Sequence, residues 1–110
     1  MKRSARSPEL QIEVELLSSV GTRQLPDWRP TVRPIDSTPD ALALGVVFAS
    51  SPPRAIGGDR FAASIVALAW PDPATDWLHQ PGATFILLEG ATMVGHGCVL
   101  AVGGVTGIDA

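Results

Sequence analysis

Residues 82–102, GATFILLEGATMVGHGCVLAV, constrain the fold more than any other stretch of the chain. An apolar run from Phe85 to Leu88 meets Glu89-Gly90, and a second apolar run carrying Gly95 and Gly97 follows. Two such runs on either side of an acid-glycine corner read as a β-hairpin. Eleven Gly and ten Pro among 110 residues extend that reading, since they favour many short segments joined by turns and disfavour long helices. A chain of this length buries roughly two thirds of its unfolded surface, which suits one core.

The other strands follow from period-two alternation. Leu10, Ile12, Val14 and Leu16 alternate with Gln11, Glu13 and Glu15, so Leu10 to Leu17 is the first strand. Ser18 to Asp27, with Gly21 and Pro26, is a loop. Trp28 to Ile35 has β character at Thr31, Val32 and Ile35, but Pro30 and Pro34 lack ladder donors and make it an edge or broken strand. Asp36 to Asp40 is a turn. Leu42 to Phe48, apolar apart from Gly45, reads as a buried strand with a short helix as its rival. Gly57-Gly58-Asp59 turns the chain into Arg60 to Trp70, whose alanines also fit an amphipathic helix, although the flanking glycines and prolines favour a strand. Pro71 to Pro81 is an ordered loop whose Trp77 packs over a barrel end. Six short strands separated by turn chemistry indicate an all-β barrel or sandwich. Residues 1–8 lack apolar periodicity and read as a mobile tail, leaving 9–110 as a single domain.

The net charge of −3 is unevenly spread: all eight Lys and Arg lie at or before Arg60, and residues 61–110 hold only Asp72, Asp76, Glu89 and Asp109 as charged groups. A chain with this balance is a poor stand-alone nucleic-acid binder, and any RNA contact must come from its first half. Cys98 is the only cysteine, which excludes an intramolecular disulfide and a CxxC zinc pair and fits a cytoplasmic location. No apolar run approaches the ~20 residues of a membrane helix. The basic start, Met1 to Arg6, leads into Ser7-Pro8-Glu9, so neither a signal peptide nor an anchor is expected.

Phe85-Ile86-Leu87-Leu88-Glu89-Gly90, followed by Val94-Gly95-His96-Gly97-Cys98-Val99, resembles the C-terminal hairpin of the third domain of elongation factor Tu, which has the form F-x-I-R-E-G-x-x-x-V-G-x-G-x-V. Ile12-Glu13-Val14-Glu15-Leu16 resembles that domain's first strand. Gly21-Thr22-Arg23 and Pro26 match its G-x-R-x-x-P loop, and Arg29-Pro30 matches the R-P of its second strand. Gly58-Asp59 and Pro71 echo a P-G-D turn and a later proline. The resemblance implies a six-stranded antiparallel β-barrel, in a family where this domain packs on the GTP-binding domain, holds part of the T-stem of aminoacyl-tRNA and meets the exchange factor. It also implies that Glu89 and Gly90 stand where the family's acid and glycine approach the tRNA backbone, and that Thr31 stands where a nearby Gln does. Three positions depart from the pattern: Leu88 replaces an arginine, His96 an alanine, and Pro34 interrupts the second strand. The chain has no G-x-x-x-x-G-K-[ST] phosphate loop, so no nucleotide and no GTPase activity are expected.

Gly95 and Gly97 share one strand face and form either a flat strip for the close approach of another backbone or domain, or a tight barrel corner. His96 and Cys98 occupy the opposite face. As metal ligands they lack further partners beyond His79, and as a nucleophilic pair they stand about 7 Å apart along the strand, beyond hydrogen-bond reach. No G-x-S-x-G elbow appears. No catalytic residue, metal or cofactor is assigned, and an enzyme is not expected. Trp28, Trp70 and Trp77 offer a platform for bases or a partner, or pack the barrel ends with their indole N–H groups satisfied. Trp28, Arg29 and Arg33 form the only aromatic-basic cluster. The first functional reading is a non-catalytic, free-standing, translation-related barrel that binds a protein partner or itself. The second is tRNA or RNA binding through Trp28, Arg29, Thr31, Arg33 and the Glu89-Gly90 corner. The third, a small hydrolase or metal protein, requires His79, His96 or Cys98 to gather with an acid.

Overall fold

A computed structural model describes residues 7–38 and 41–103. Residues 1–6 of the tail expected at 1–8, the end of the expected turn at 39–40, and residues 104–110 lie outside the described residues. Eight strands are formed: β1 (Glu9–Leu16), β2 (Arg23–Gln24), β3 (Thr31–Pro34), β4 (Leu44–Ser50), β5 (Arg54–Ala55), β6 (Arg60–Ala67), β7 (Thr84–Glu89) and β8 (Thr92–Gly103). Six of them close an antiparallel barrel in the order β1-β6-β4-β3-β7-β8, and β2 pairs with β5 in a separate two-stranded sheet. The fold is all-β, as the alternation implies.

The inward faces follow the period of two. Leu10, Ile12, Val14 and Leu16 of β1 are at most 1% exposed, and they join Val32, Val46, Ile65, Phe85, Leu87 and Val99 in one core cluster. The hairpin corner is a two-residue connection, Gly90-Ala91, with Gly90 at φ 61° and Ala91 not at positive φ, the pattern of a type II′ turn.

Three readings from the sequence change. The segment expected as an edge or broken strand forms the four-residue β3, which is not an edge but is bonded on both sides, to β4 and to β7. Its proline still limits it, because the ladder to β4 covers only Thr31–Gly45 and Val32–Leu44 and stops before Pro34, which has no N–H. The Ser18–Asp27 loop contains β2 and a 3₁₀ turn at Leu25–Asp27, whose Leu25 is fully buried. The 71–81 loop contains a 3₁₀ helix, Pro73–Leu78. Asp72 caps it by accepting the Ala74 N–H at 2.8 Å, Thr75 and Leu78 are fully buried, and Trp77 packs against the core.

Candidate functional site

The corner acid Glu89 is fully engaged within the chain. Arg23 of β2 donates Nε–H to its Oε2 at 2.5 Å and Nη2–H to its Oε1 at 2.8 Å, and the Trp28 indole N–H donates to Oε2 at 2.7 Å. The Arg23 hydrogen bond, helped by that of Trp28 and opposed by burial, holds the Glu89 carboxyl below its ordinary range, and the same bond raises Arg23. Trp28 is 9% exposed and its ring stacks on Phe48 at 5.8 Å between centroids and 9° between planes. Glu89 and Trp28 are therefore brought together as a clamp that ties β2 and the 3₁₀ turn to the end of β7. Arg29 is exposed beside them, donating from Nη1 to the carbonyls of Pro26 and Trp28 at 2.9 and 3.1 Å. Sequence reasoning did not find Arg23 as the partner of Glu89. The G-x-R spacing was visible, but 66 residues separate the pair.

Thr31, Arg33 and Gly90 belong to a different surface. On β3, Val32 points inward, so Thr31 and Arg33 face out. Pairing places them in two rows across the outer wall, Met93–Leu88–Thr31–Gly45 and His96–Ile86–Arg33. Leu68 folds over Gly45, its Cδ1 only 3.1 Å from where a Cβ would stand. Arg33, Ala41, Ala43, Leu88, Gly90 and Ala91 line a concavity of about 250 Å³. Leu42, between two of those alanines in the chain, is 66% exposed, Leu68 62% and Met93 39%. The Arg33 side chain makes no hydrogen bond or ion pair among the described residues, and its Nε is buried without an acceptor. The sequence carried one signal for this surface. Ile86 and Leu88 are apolar on the face that alternation assigns to solvent, and both are buried.

The two glycines of β8 serve the barrel's closure. A Cβ on Gly97 would lie 2.5 Å from the Glu13 carbonyl oxygen and 2.8 Å from the Phe85 ring, and one on Gly95 would lie 2.8 Å from the Glu15 carbonyl oxygen. The close approach they permit is made by β1 and Phe85 of the same chain.

His96 and Cys98 face outward, beside a groove of about 200 Å³ that also involves Glu13, Glu15, Arg60 and Thr84. Glu15 accepts from Arg60 Nη2 at 3.0 Å and lies 3.9 Å from His96 Nε2. His79 is not part of this groove. It packs against Trp70, 4.7 Å between ring centroids, with Nδ1 2.8 Å from the Thr75 carbonyl, which can only accept, so Nδ1 carries the proton. Among the described residues no three His, Cys, Asp or Glu side chains are placed to hold a metal ion, and no helix is long and apolar enough to cross a membrane.

The fold and these surfaces define a small antiparallel β-barrel with a partly apolar outer wall across β4, β3, β7 and the start of β8. Comparison with known proteins adds no family to that class, because no family model matches the chain and no curated protein matches it at a significant level.

Proposed function

We propose that the barrel is a non-catalytic binding module that docks a protein partner on the outer wall formed by β3, β7 and the start of β8. The observation that carries this reading is the set of exposed apolar side chains along the wall, Met93 opposite Leu88, Leu68 over Gly45 and Leu42 between two alanines of a concavity whose one charge among the described residues, Arg33, makes no ion pair there. Exposed apolar surface around a central arginine is the composition of a protein interface core. The Glu89–Arg23–Trp28 clamp supports the wall by fixing the hairpin corner at its upper edge. The resemblance of the hairpin to elongation factor Tu is what suggests a translation-related partner. For the RNA reading, Trp28 offers little as a stacking platform because its ring is buried against Phe48, which leaves Arg29 and Arg33 as the cations of that cluster.

Sedimentation velocity over a concentration series, with capture from cell extract on the immobilised chain, tests the reading. Leu42→Ser, Leu68→Ser and Met93→Ser should each weaken self-association or capture by about tenfold, and Gln11→Ser on the opposite wall should leave it unchanged. A strict monomer that recovers nothing, or wall variants that behave as wild type, refutes it.

A further inference from the structure

Arg33 is chemically out of keeping with the cavity that it lines. Its neighbours there are Ala41, Ala43, Leu88, Gly90 and Ala91, none of which carries a side-chain acceptor. The nearest acid in the chain's hairpin, Glu89, has its carboxylate occupied by Arg23 and Trp28. With Nε buried and unpaired and the residue as a whole half-buried, the guanidinium has lost part of its hydration on folding and has gained no counter-charge among the described residues. A cation in that state binds an anion more strongly than a fully hydrated one, because part of the desolvation cost of pairing has already been met.

We propose that this concavity takes a single carboxylate, the side chain of an Asp or Glu on a partner protein. Arg33 receives the carboxylate, and Leu88, Ala41, Ala43 and Ala91 pack the aliphatic part of the incoming residue. The proposal rests on the protein-docking reading above and names the chemistry of that site. Charge complementarity selects the occupant. Among the described residues Arg33 is the one cation of the cavity, which suits one carboxylate flanked by apolar residues. A nucleic-acid backbone needs several phosphate contacts, and this chain has a net charge of −3 and no Lys or Arg after Arg60. The exposed side chains of Leu42, Leu68 and Met93 require an apolar flank on the partner segment, which a phosphodiester chain lacks.

The test is a nuclear magnetic resonance titration of the full chain with N-acetyl-Leu-Glu-Leu-amide, read at the Arg33 side-chain N–H and the backbone amides of Leu88 and Gly90. A saturable shift is expected, with affinity lowered about tenfold or more when Gln replaces Glu in the peptide, which alters no residue of the protein. Arg33→Gln should lower it by a similar factor and Arg33→Lys by less, because lysine keeps the charge and loses the planar fork. Equal shifts from the Glu and Gln peptides, or no response to either, overturn the carboxylate proposal. So does an RNA hairpin that shifts Arg33 where the acidic peptide does not. Failure of the docking reading is seen separately. If Leu42→Ser, Leu68→Ser and Met93→Ser abolish capture while Arg33→Gln leaves it intact, the docking wall stands and only the carboxylate falls.

Discussion

Replacing Glu89 tests the clamp that organises the upper end of the barrel. Glu89→Ala removes the acceptor of three hydrogen bonds and orphans the indole N–H of Trp28, a residue only 9% exposed. Leaving that donor unsatisfied costs about 1–2 kcal/mol. The Arg23–Glu89 pair has side chains 27% and 34% exposed, so solvent screening holds its share to about 1 kcal/mol despite the bidentate geometry. The expected loss is about 2–3 kcal/mol, roughly 10 °C in midpoint for a domain of this size. Glu89→Gln keeps an acceptor for Trp28 and loses the charge, so it should cost about 1 kcal/mol. The folded carboxyl lies below its unfolded value, so the unfolded state binds more protons. Its stabilisation is therefore complete above the unfolded carboxyl range and is lost as pH falls through the folded value. The gap between wild type and Glu89→Gln should be constant at neutral pH and shrink below about pH 4. Urea unfolding followed by circular dichroism, with Trp28→Phe added to complete a double-mutant cycle, measures each quantity. A Glu89→Ala variant within about 0.5 kcal/mol of wild type at pH 7, or a Glu89→Gln gap that does not change with pH, refutes the reasoning.

Two further outcomes can be checked by the same unfolding measurements. Gly97→Ala places a methyl group 2.5 Å from the Glu13 carbonyl oxygen and 2.8 Å from the Phe85 ring, so it should cost about 3 kcal/mol. Adding Phe85→Leu should recover none of the backbone share. Cys98→Ser and His96→Gln, both on the outer wall and outside the core, should each change stability by less than about 0.5 kcal/mol.

Side-chain alternation along a strand is a local property, which is why the four inward residues of β1, the two arms of the terminal hairpin and its Gly90 turn can be read directly from residue order. The same reasoning places His96 and Cys98 opposite Gly95 and Gly97, as the structure has them. Of the two readings for β3, edge or broken strand, only the edge fails, because whether a proline-flanked strand has neighbours on both sides depends on how the barrel closes. It also misses β2 and β5, two residues each, whose pairing depends on Arg23 and Ala55 meeting across the chain.

The sequence by itself determined the inward face of β1, the turn of the terminal hairpin and that short strands must cover one another. Only the tertiary structure decided what those strands build between them. Glu89 and Arg23 meet because closure carries β7 to the end where β2 lies. Leu42, Leu68 and Met93 come from three separate segments, and nothing near any of them in sequence distinguishes it from a core residue. Burial and pairing at such positions are set by contacts between residues far apart in the chain, and the energies of those contacts appear only when the barrel is closed.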